Sequence, residues 1–499
     1  MNANLYALLR SHFPEDPGQP CILMPGGPVI HYDQLDATSA RIAHALVESG
    51  CQPGDRVAVQ SEKCWQAIAL YLACLRAGLV YLPLNTGYQK SELAYFFGDA
   101  EPKVIVCAPE TQPAVAALRP EATVLTLDAR GGTLLERAEG KPDGYDAAPR
   151  AASDPAAILY TSGTTGRSKG AVLSHRNLAS NALTLVEQWG FTRGDVLLHA
   201  LPVYHVHGLF VACHCVLLSS SRMLWLARFD AKEVVDLLPH ATVMMGVPTF
   251  YTRLLGESAF DRHACRHIRL FVSGSAPLLA ETFAEFQERT GHAILERYGM
   301  TETGMNTANP LGGERVAGSV GPPLKGVSVR VVDDEGRACP HGVVGAVQVK
   351  GPNVFSGYWR MSEKTREEFT PDGYFRTGDM GEWLPNGYLK IVGRAKDLII
   401  TGGLNVYPKE IEERIDALPG VAESAVIGVP DPDFGEAVTA VVVARAGHTL
   451  SEPELISALK AEIAGFKVPK RVYFVSQLPR NAMGKVQKNV LRETYSGGA

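Results

Sequence analysis

The chain has 499 residues, too many for one core, so two or more domains are expected. With 46% hydrophobic and 20% charged residues it has the composition of an ordinary globular protein, and a net charge of −5 argues against a general nucleic-acid binder. No run of about 18 apolar residues is present, and Met1–Arg10 lacks the basic-then-apolar pattern of a signal peptide. No membrane association is therefore expected, and the expected location is cytoplasmic. Nine cysteines are scattered along the chain, mostly inside apolar runs; they read as small buried hydrophobes in a reducing compartment. Cys213 and Cys215 flank His214. A strand facing the core is expected there rather than a metal site.

In chain order, residues 35–50 carry an amphipathic helical pattern ending at Gly50. Strands are predicted at Val57–Val59, Val80–Leu84 and Val104–Cys107, with helices at Ala67–Gly78 and Glu92–Ala100 between them. The alternation returns at Val243–Leu255, at Leu270–Val272 and at Leu278–Thr290. Alternating strands and helices predict an α/β fold with a largely parallel sheet. After about residue 315 the pattern changes to short strands, Val327–Val332, Gly345–Lys350 and Tyr388–Val392, which predict a small β subdomain. The tail holds Leu398–Ile400, the helix Pro408–Ala417, strands at Ser424–Val429 and Val438–Ala444, the helix Glu452–Ala464 and a strand at Val472–Val475. That is a compact α+β module. The expected division is a large N-terminal domain over 1–394, a hinge over 395–397 and a small mobile C-terminal domain over 398–499.

Chemistry concentrates first in Thr161-Ser162-Gly163-Thr164-Thr165-Gly166-Arg167-Ser168-Lys169-Gly170, after the apolar run Ala156–Tyr160. Glycines let backbone N–H groups approach an anion, and hydroxyls add donors. It is not a Walker loop: counted from Gly163, that motif needs Gly-Lys-Ser/Thr after four residues, and Ser168 stands where it needs the glycine. By composition alone such a loop is more often a flexible turn. The whole string is more specific: it resembles the phosphate loop of the superfamily of acyl-CoA synthetases, peptide-synthetase adenylation domains and luciferases. Four further motifs follow in the family's order. They are Tyr298-Gly299-Met300-Thr301-Glu302, Tyr374-Phe375-Arg376-Thr377-Gly378-Asp379, Gly393-Arg394-Ala395-Lys396-Asp397 and Leu478–Lys485.

The resemblance implies a reaction in two halves, in which ATP and a carboxylate give an acyl-adenylate and a thiol then takes the acyl group. Thr161, Ser162, Gly163, Thr164, Thr165, Gly166 and Lys169 would hold the phosphates. Ser275-Ala276-Pro277 would lie on the adenine side, with Tyr298, Gly299, Met300 and Thr301 also on the nucleotide. Asp379 would accept from both ribose hydroxyls, since a carboxylate has two acceptor oxygens, and Arg394 would brace the nucleotide. Glu302, with Thr161, would serve Mg²⁺ or its water shell. Lys485 would stabilise the charge developing as the carboxylate attacks phosphorus. Its charge is needed only in the first half, so the small domain would rotate about Lys396, and Gly402 and Gly403 would then line the thiol tunnel. Lys485 also resembles the lysine that some relatives acetylate to switch off, which implies an acetyltransferase and a deacetylase as partners. A monomer or small homo-oligomer is expected.

Two positions bear on the acid. His205 stands on the family's usual acyl-pocket histidine, and His207 is an extra one. Arg297 directly precedes Tyr298. An aromatic or fatty acyl tail has no use for a buried guanidinium, whose unpaired charge is costly; a second carboxylate would satisfy it through a forked pair. These features, with the runs Leu295–Thr303 and Asn405–Ile411, resemble the malonyl-CoA synthetases, which act on malonate and often accept methylmalonate. Glu296 or Glu302 could instead neutralise Arg297 internally. Other readings are a ligase for another short mono- or dicarboxylic acid, an enzyme loading a carrier protein, a nucleotide-sensing homologue and a luciferase-like oxygenase. The short tail after Lys485 and the presence of Glu302, Asp379, Arg394 and Lys485 together disfavour the carrier-loading and sensing readings.

Overall fold

The helix Trp65–Arg76 is buried from Gln66 to Arg76, and a helix that is buried all round must lie inside a stack of layers. In the computed structural model, which describes residues 2–161, 168–401, 404–431, 433–481 and 484–496, two large sheets cover it. One sheet has eight strands in the order Gly304–Ala308, Leu295–Met300, Leu270–Ser273, Val243–Gly246, Val196–His199, Arg222–Trp225, Pro20–Leu23 and Val29–His31. The other has seven, running from Gly357–Tyr358 through Lys169–Ser174, Pro155–Thr161, Val80–Pro83, Arg56–Gln60 and Val104–Cys107 to Thr123–Thr126. Both sheets are parallel inside and antiparallel only towards their edges. Helices Ala231–Leu237, Pro248–Leu255 and Ala280–Thr290 cover the outer face of the first sheet, and Lys90–Ala100 and Gln112–Leu118 that of the second. Parallel sheets covered on both faces explain why these strands are continuously apolar. The α/β expectation holds.

A third sheet, Ser328–Val332, Gly345–Lys350, Phe375–Trp383 and Leu389–Arg394, is antiparallel throughout. The strand Phe375–Trp383 was not expected from the sequence; Gly378 and Gly381 dilute its pattern, and its two neighbours supply the pairing. The last sheet uses only strands from Ile399 onward, built on the long hairpin Val421–Asp431 with Gly435–Ala444. Helices Pro408–Asp416 and Glu452–Glu462 pack in one of its cores, and Lys488–Tyr495 in the other.

Cys213 and Cys215 are not on a strand. They lie in a π-helix, His207–Cys213, continued by the α-helix His214–Ser219. The whole run from His207 to Leu218 is buried, so an apolar stretch of this length carries no two-residue alternation and its length favours a helix. Among the described residues no cluster of three or more His, Cys, Asp or Glu could hold a metal, and no helix is long and apolar enough to cross a membrane.

Candidate active site

Ligands of parallel α/β sheets bind beyond the carboxyl ends of the strands. Here the strands ending at His199, Gly246 and Ser273 are parallel in one sheet, so their carboxyl ends lie on one side of it. There a cleft of about 670 Å³ lies between the eight-stranded sheet, the antiparallel third sheet and the C-terminal module, lined by Ser275, Arg297, Tyr298, Asp379, Arg394 and Lys485 among others.

At the nucleotide end, Asp379 and Arg394 are direct partners across an antiparallel ladder. That register brings Arg394 Nε to 2.6 Å from Asp379 Oδ1. The Tyr298 hydroxyl donates to the other carboxylate oxygen at 2.5 Å. Each oxygen keeps a further lone pair, so the buried carboxylate can still accept from a vicinal diol. Glu302 sits in the tight turn after Met300 and Thr301, is buried, and accepts from the Tyr358 hydroxyl at 3.0 Å. Burial raises its pKa, and it forms no ion pair among the described residues. Lys169 lies over the Tyr358 ring at 4.3 Å and pairs with Glu368 at 3.5 Å. The Thr161 hydroxyl faces the Lys169 carbonyl at 3.4 Å. A buried carboxylate outside any ion pair suits Mg²⁺, which takes one or two protein carboxylates when phosphates supply the rest.

At the other end, Arg297 is 4% exposed, and its Nε and Nη2 have no hydrogen-bond partner. The guanidinium lies against Gly274, where a Cβ would fall 2.4 Å from the guanidinium carbon, so only glycine admits it. Neither internal acid neutralises it. Glu296, one residue before it on the strand, turns to the Gly318 amide at 3.1 Å, and Glu302 is engaged by Tyr358. Burial lowers the Arg297 pKa to about 10, with Tyr251 opposing. His207 is buried beside it; burial and then Arg297 hold the imidazole well below its usual pKa, and its Nε2 has no partner. Its Nδ1 is 3.4 Å from the Ser275 hydroxyl. Ser275 itself adopts a left-handed φ of 73°, and Ala276 and Pro277 complete its loop on the cleft wall. Burial and then Lys485 lower the His205 pKa to about 3, so this ring is neutral. An unpaired cation thus lines the cleft, with a neutral imidazole, His207, beside it and His205 near that.

Lys485 reaches the same cleft from the C-terminal sheet. A local loop holds it: its amide donates to the Asn481 side chain at 3.0 Å, and the Asn481 amide returns a bond to its carbonyl at 2.9 Å. Solvent still reaches the side chain, but protein around the cleft lowers its pKa, Arg394 adding to the effect and Asp379 opposing. Lys396 is exposed in the short turn Ala395–Asp397. Ser162, Gly163, Thr164, Thr165 and Gly166 of the phosphate loop, and Gly402 and Gly403 of the expected tunnel, lie outside the described residues.

Three residues escaped the sequence reading. Tyr358 holds both Glu302 and Lys169, and nothing local marks it. Gly274 seats Arg297, and its place directly before Ser275 was a usable signal. Arg492 in the last helix ties Asp397 of the turn Ala395–Asp397 at 2.7 Å, across almost the whole C-terminal module.

Comparison with known proteins agrees with this geometry. The AMP-binding enzyme family matches residues 10–359, and the AMP-binding enzyme C-terminal domain matches residues 410–485. The chain is 35% identical to a malonate–CoA ligase of Arabidopsis thaliana, over 93% of this chain and 84% of that protein. It superposes on ATP-bound MatB from Rhodopseudomonas palustris with a TM-score of 0.97 at 57% identity, covering 99% of both chains. Against apo MatB of the same organism, at the same identity and coverage, the TM-score is 0.86, so the arrangement here is closer to the ATP-bound one. The chain therefore belongs to the AMP-binding enzyme family.

Proposed function

We propose that this protein ligates malonate to coenzyme A with ATP, through malonyl-AMP, releasing pyrophosphate and then AMP. The observation that carries the reading is Arg297, a buried guanidinium without an acidic partner, facing the cleft beside neutral His207. A distal carboxylate would supply the missing acceptors through a forked pair. The relatives named malonate–CoA ligase support the same acid.

In the first half-reaction, Asp379, Tyr298 and Arg394 hold the ribose, and the 160s loop with Lys169 holds the phosphates. Arg297 and His207 hold one carboxylate of malonate, which leaves the other free to attack the α-phosphorus in line with pyrophosphate. Lys485 stabilises the charge that builds on the phosphoryl oxygens. Mg²⁺ bound near Glu302 and Thr161 would neutralise phosphate charge. In the second half, the CoA thiol attacks the acyl carbonyl and AMP leaves. Lys485 is then no longer needed, and the C-terminal module turns about Lys396 to bring Gly402 and Gly403 to the thiol. Acetylation of Lys485 would remove its charge and stop the first half alone. Nine unpaired thiols, eight of them buried, support a reducing compartment such as the cytoplasm.

Pyrophosphate release over malonate, methylmalonate, acetate, benzoate and coumarate, with and without CoA, tests the substrate. Release should be strongest with a malonate, and CoA should convert the adenylate to a thioester. Preference for a monocarboxylate would overturn the reading. For Lys485→Ala, malonyl-AMP formation should fall by roughly 10²-fold or more, while transfer from supplied malonyl-AMP to CoA should survive. Equal loss in both steps would contradict the division of labour.

A further inference from the structure

Lys63 precedes the buried helix Trp65–Arg76, and the mechanism above makes no use of it. Its amino group is partly buried and meets three acceptors: His199 Nδ1 at 2.9 Å, the His199 carbonyl at 2.8 Å and the Leu226 carbonyl at 2.7 Å. It also lies 4.3 Å from the centroid of the Trp225 ring. No carboxylate pairs with it among the described residues, and burial drives its pKa well down. An ammonium carries three N–H donors and no acceptor, so three acceptors match it one for one.

The His199 ring follows from its other contact: Nε2 faces a carbonyl, which only accepts, so the ring proton sits on Nε2, and Nδ1 keeps the lone pair that accepts from Lys63. Nε2 lies 2.9 Å from the Gly208 carbonyl and donates to it. The Cys213 thiol donates to the same carbonyl at 3.2 Å. Gly208 follows His207 in the π-helix His207–Cys213. It packs so closely on the preceding loop that a Cβ would fall 2.0 Å from the Pro202 carbonyl oxygen. π-helical turns are rare and recur at functional sites. One polar chain therefore runs from Lys63 through His199 to the backbone that presents His207 beside Arg297.

We propose that Lys63 and His199 are positioning residues for the distal carboxylate of the substrate: Lys63 fixes the His199 tautomer, and His199 pins the π-turn that places His207. The inference rests on the malonate reading. A methionine would fill the same channel without burying a charge, so stability alone does not account for a lysine here.

The test compares Lys63→Met, His199→Leu and His199→Gln with the wild type. Glutamine can accept from Lys63 and donate to Gly208, so it keeps the chain; leucine breaks it. Lys63→Met and His199→Leu should each raise the KM for malonate about tenfold, the effect of one charge-assisted hydrogen bond, with kcat and the KM for ATP within about twofold. His199→Gln should restore the malonate KM to within about threefold of wild type. The Lys63→Met/His199→Leu double variant should be no worse than either single one, because both cut one path. An unchanged malonate KM in Lys63→Met, or an equal rise for ATP and malonate, overturns the relay. If Lys63→Met does not fold, a His199→Gln variant as impaired as His199→Leu overturns it instead. A wild type that does not adenylate malonate overturns the substrate reading, and this inference with it. A wild type active on malonate beside an unaffected Lys63→Met overturns the relay alone.

Discussion

Burying a guanidinium without a partner costs several kcal/mol, and Arg297 leaves two nitrogens unpaired inside the protein. The proposed role, holding a substrate carboxylate, accounts for that cost. Arg297→Met should therefore act in opposite directions on stability and activity. The ligand-free variant should be more stable by about 1–4 kcal/mol, seen as a higher Tm, because a packed apolar side chain replaces an isolated charge. Malonate adenylation should fall by roughly 10²-fold or more, because the buried pair it forms with substrate is worth about 3–5 kcal/mol when broken on one side. A variant that loses stability yet keeps malonate kcat/KM would show that Arg297 is structural. The residue type was legible in the sequence. Its lack of an acidic partner was not, because that depends on where Glu296 and Glu302 turn.

The strand Leu295–Met300 shows how one element separates two charges. Successive side chains on a strand point to opposite faces, so Glu296 and Arg297 part company although adjacent. Burial raises the Glu296 pKa to about 8, with the Gly318 amide and Lys409 opposing. The folded state thus holds a proton that the unfolded state releases from about pH 4.5 upward. The stability this group contributes is complete below that pH and is lost as pH rises towards about 8. Glu296→Gln, which can still accept from Gly318, should show a flatter Tm profile over that window than the wild type; parallel profiles would contradict it. At this scale the sequence was informative where the pattern is local. Val104–Cys107 and Gly345–Lys350 have the bounds expected of them. It misled at Cys213 and Cys215, where burial on every side erases the periodicity.

Across the whole molecule, the C-terminal module is docked with Lys485 at the cleft. Arg445 crosses to Glu281 at 2.8 Å, and Lys390 reaches Glu413 at 3.9 Å. Both pairs are partly exposed, and the Arg445–Glu281 pair is about half exposed on each side, so it is worth at most about 1 kcal/mol. That is still enough to shift a domain equilibrium up to about fivefold. Glu281→Ala should slow adenylation by up to that factor at low salt and leave CoA transfer from supplied malonyl-AMP unchanged or faster. The difference should vanish at high salt, where exposed charges are screened. Single-turnover rates of the two half-reactions measure this; equal slowing of both would mean that the pair does not act on domain placement.

What the sequence determined by itself was local chemistry. Glycines and hydroxyls spaced for a phosphate, Asp379, Arg394 and Lys485 at their motif positions, and an arginine beside Tyr298 were all readable, because each depends on residues close in the chain. Tertiary structure decided which groups share a space. It set Arg394 across a ladder from Asp379, left Arg297 unpaired against Gly274, and brought Lys485 from the last module to the first. It also joined Lys63 to His199 across 136 residues, and through His199 to the Gly208 carbonyl. Burial, pKa and the choice of hydrogen-bond partner are properties of packed neighbours, and packing joins residues that the order of the chain keeps far apart.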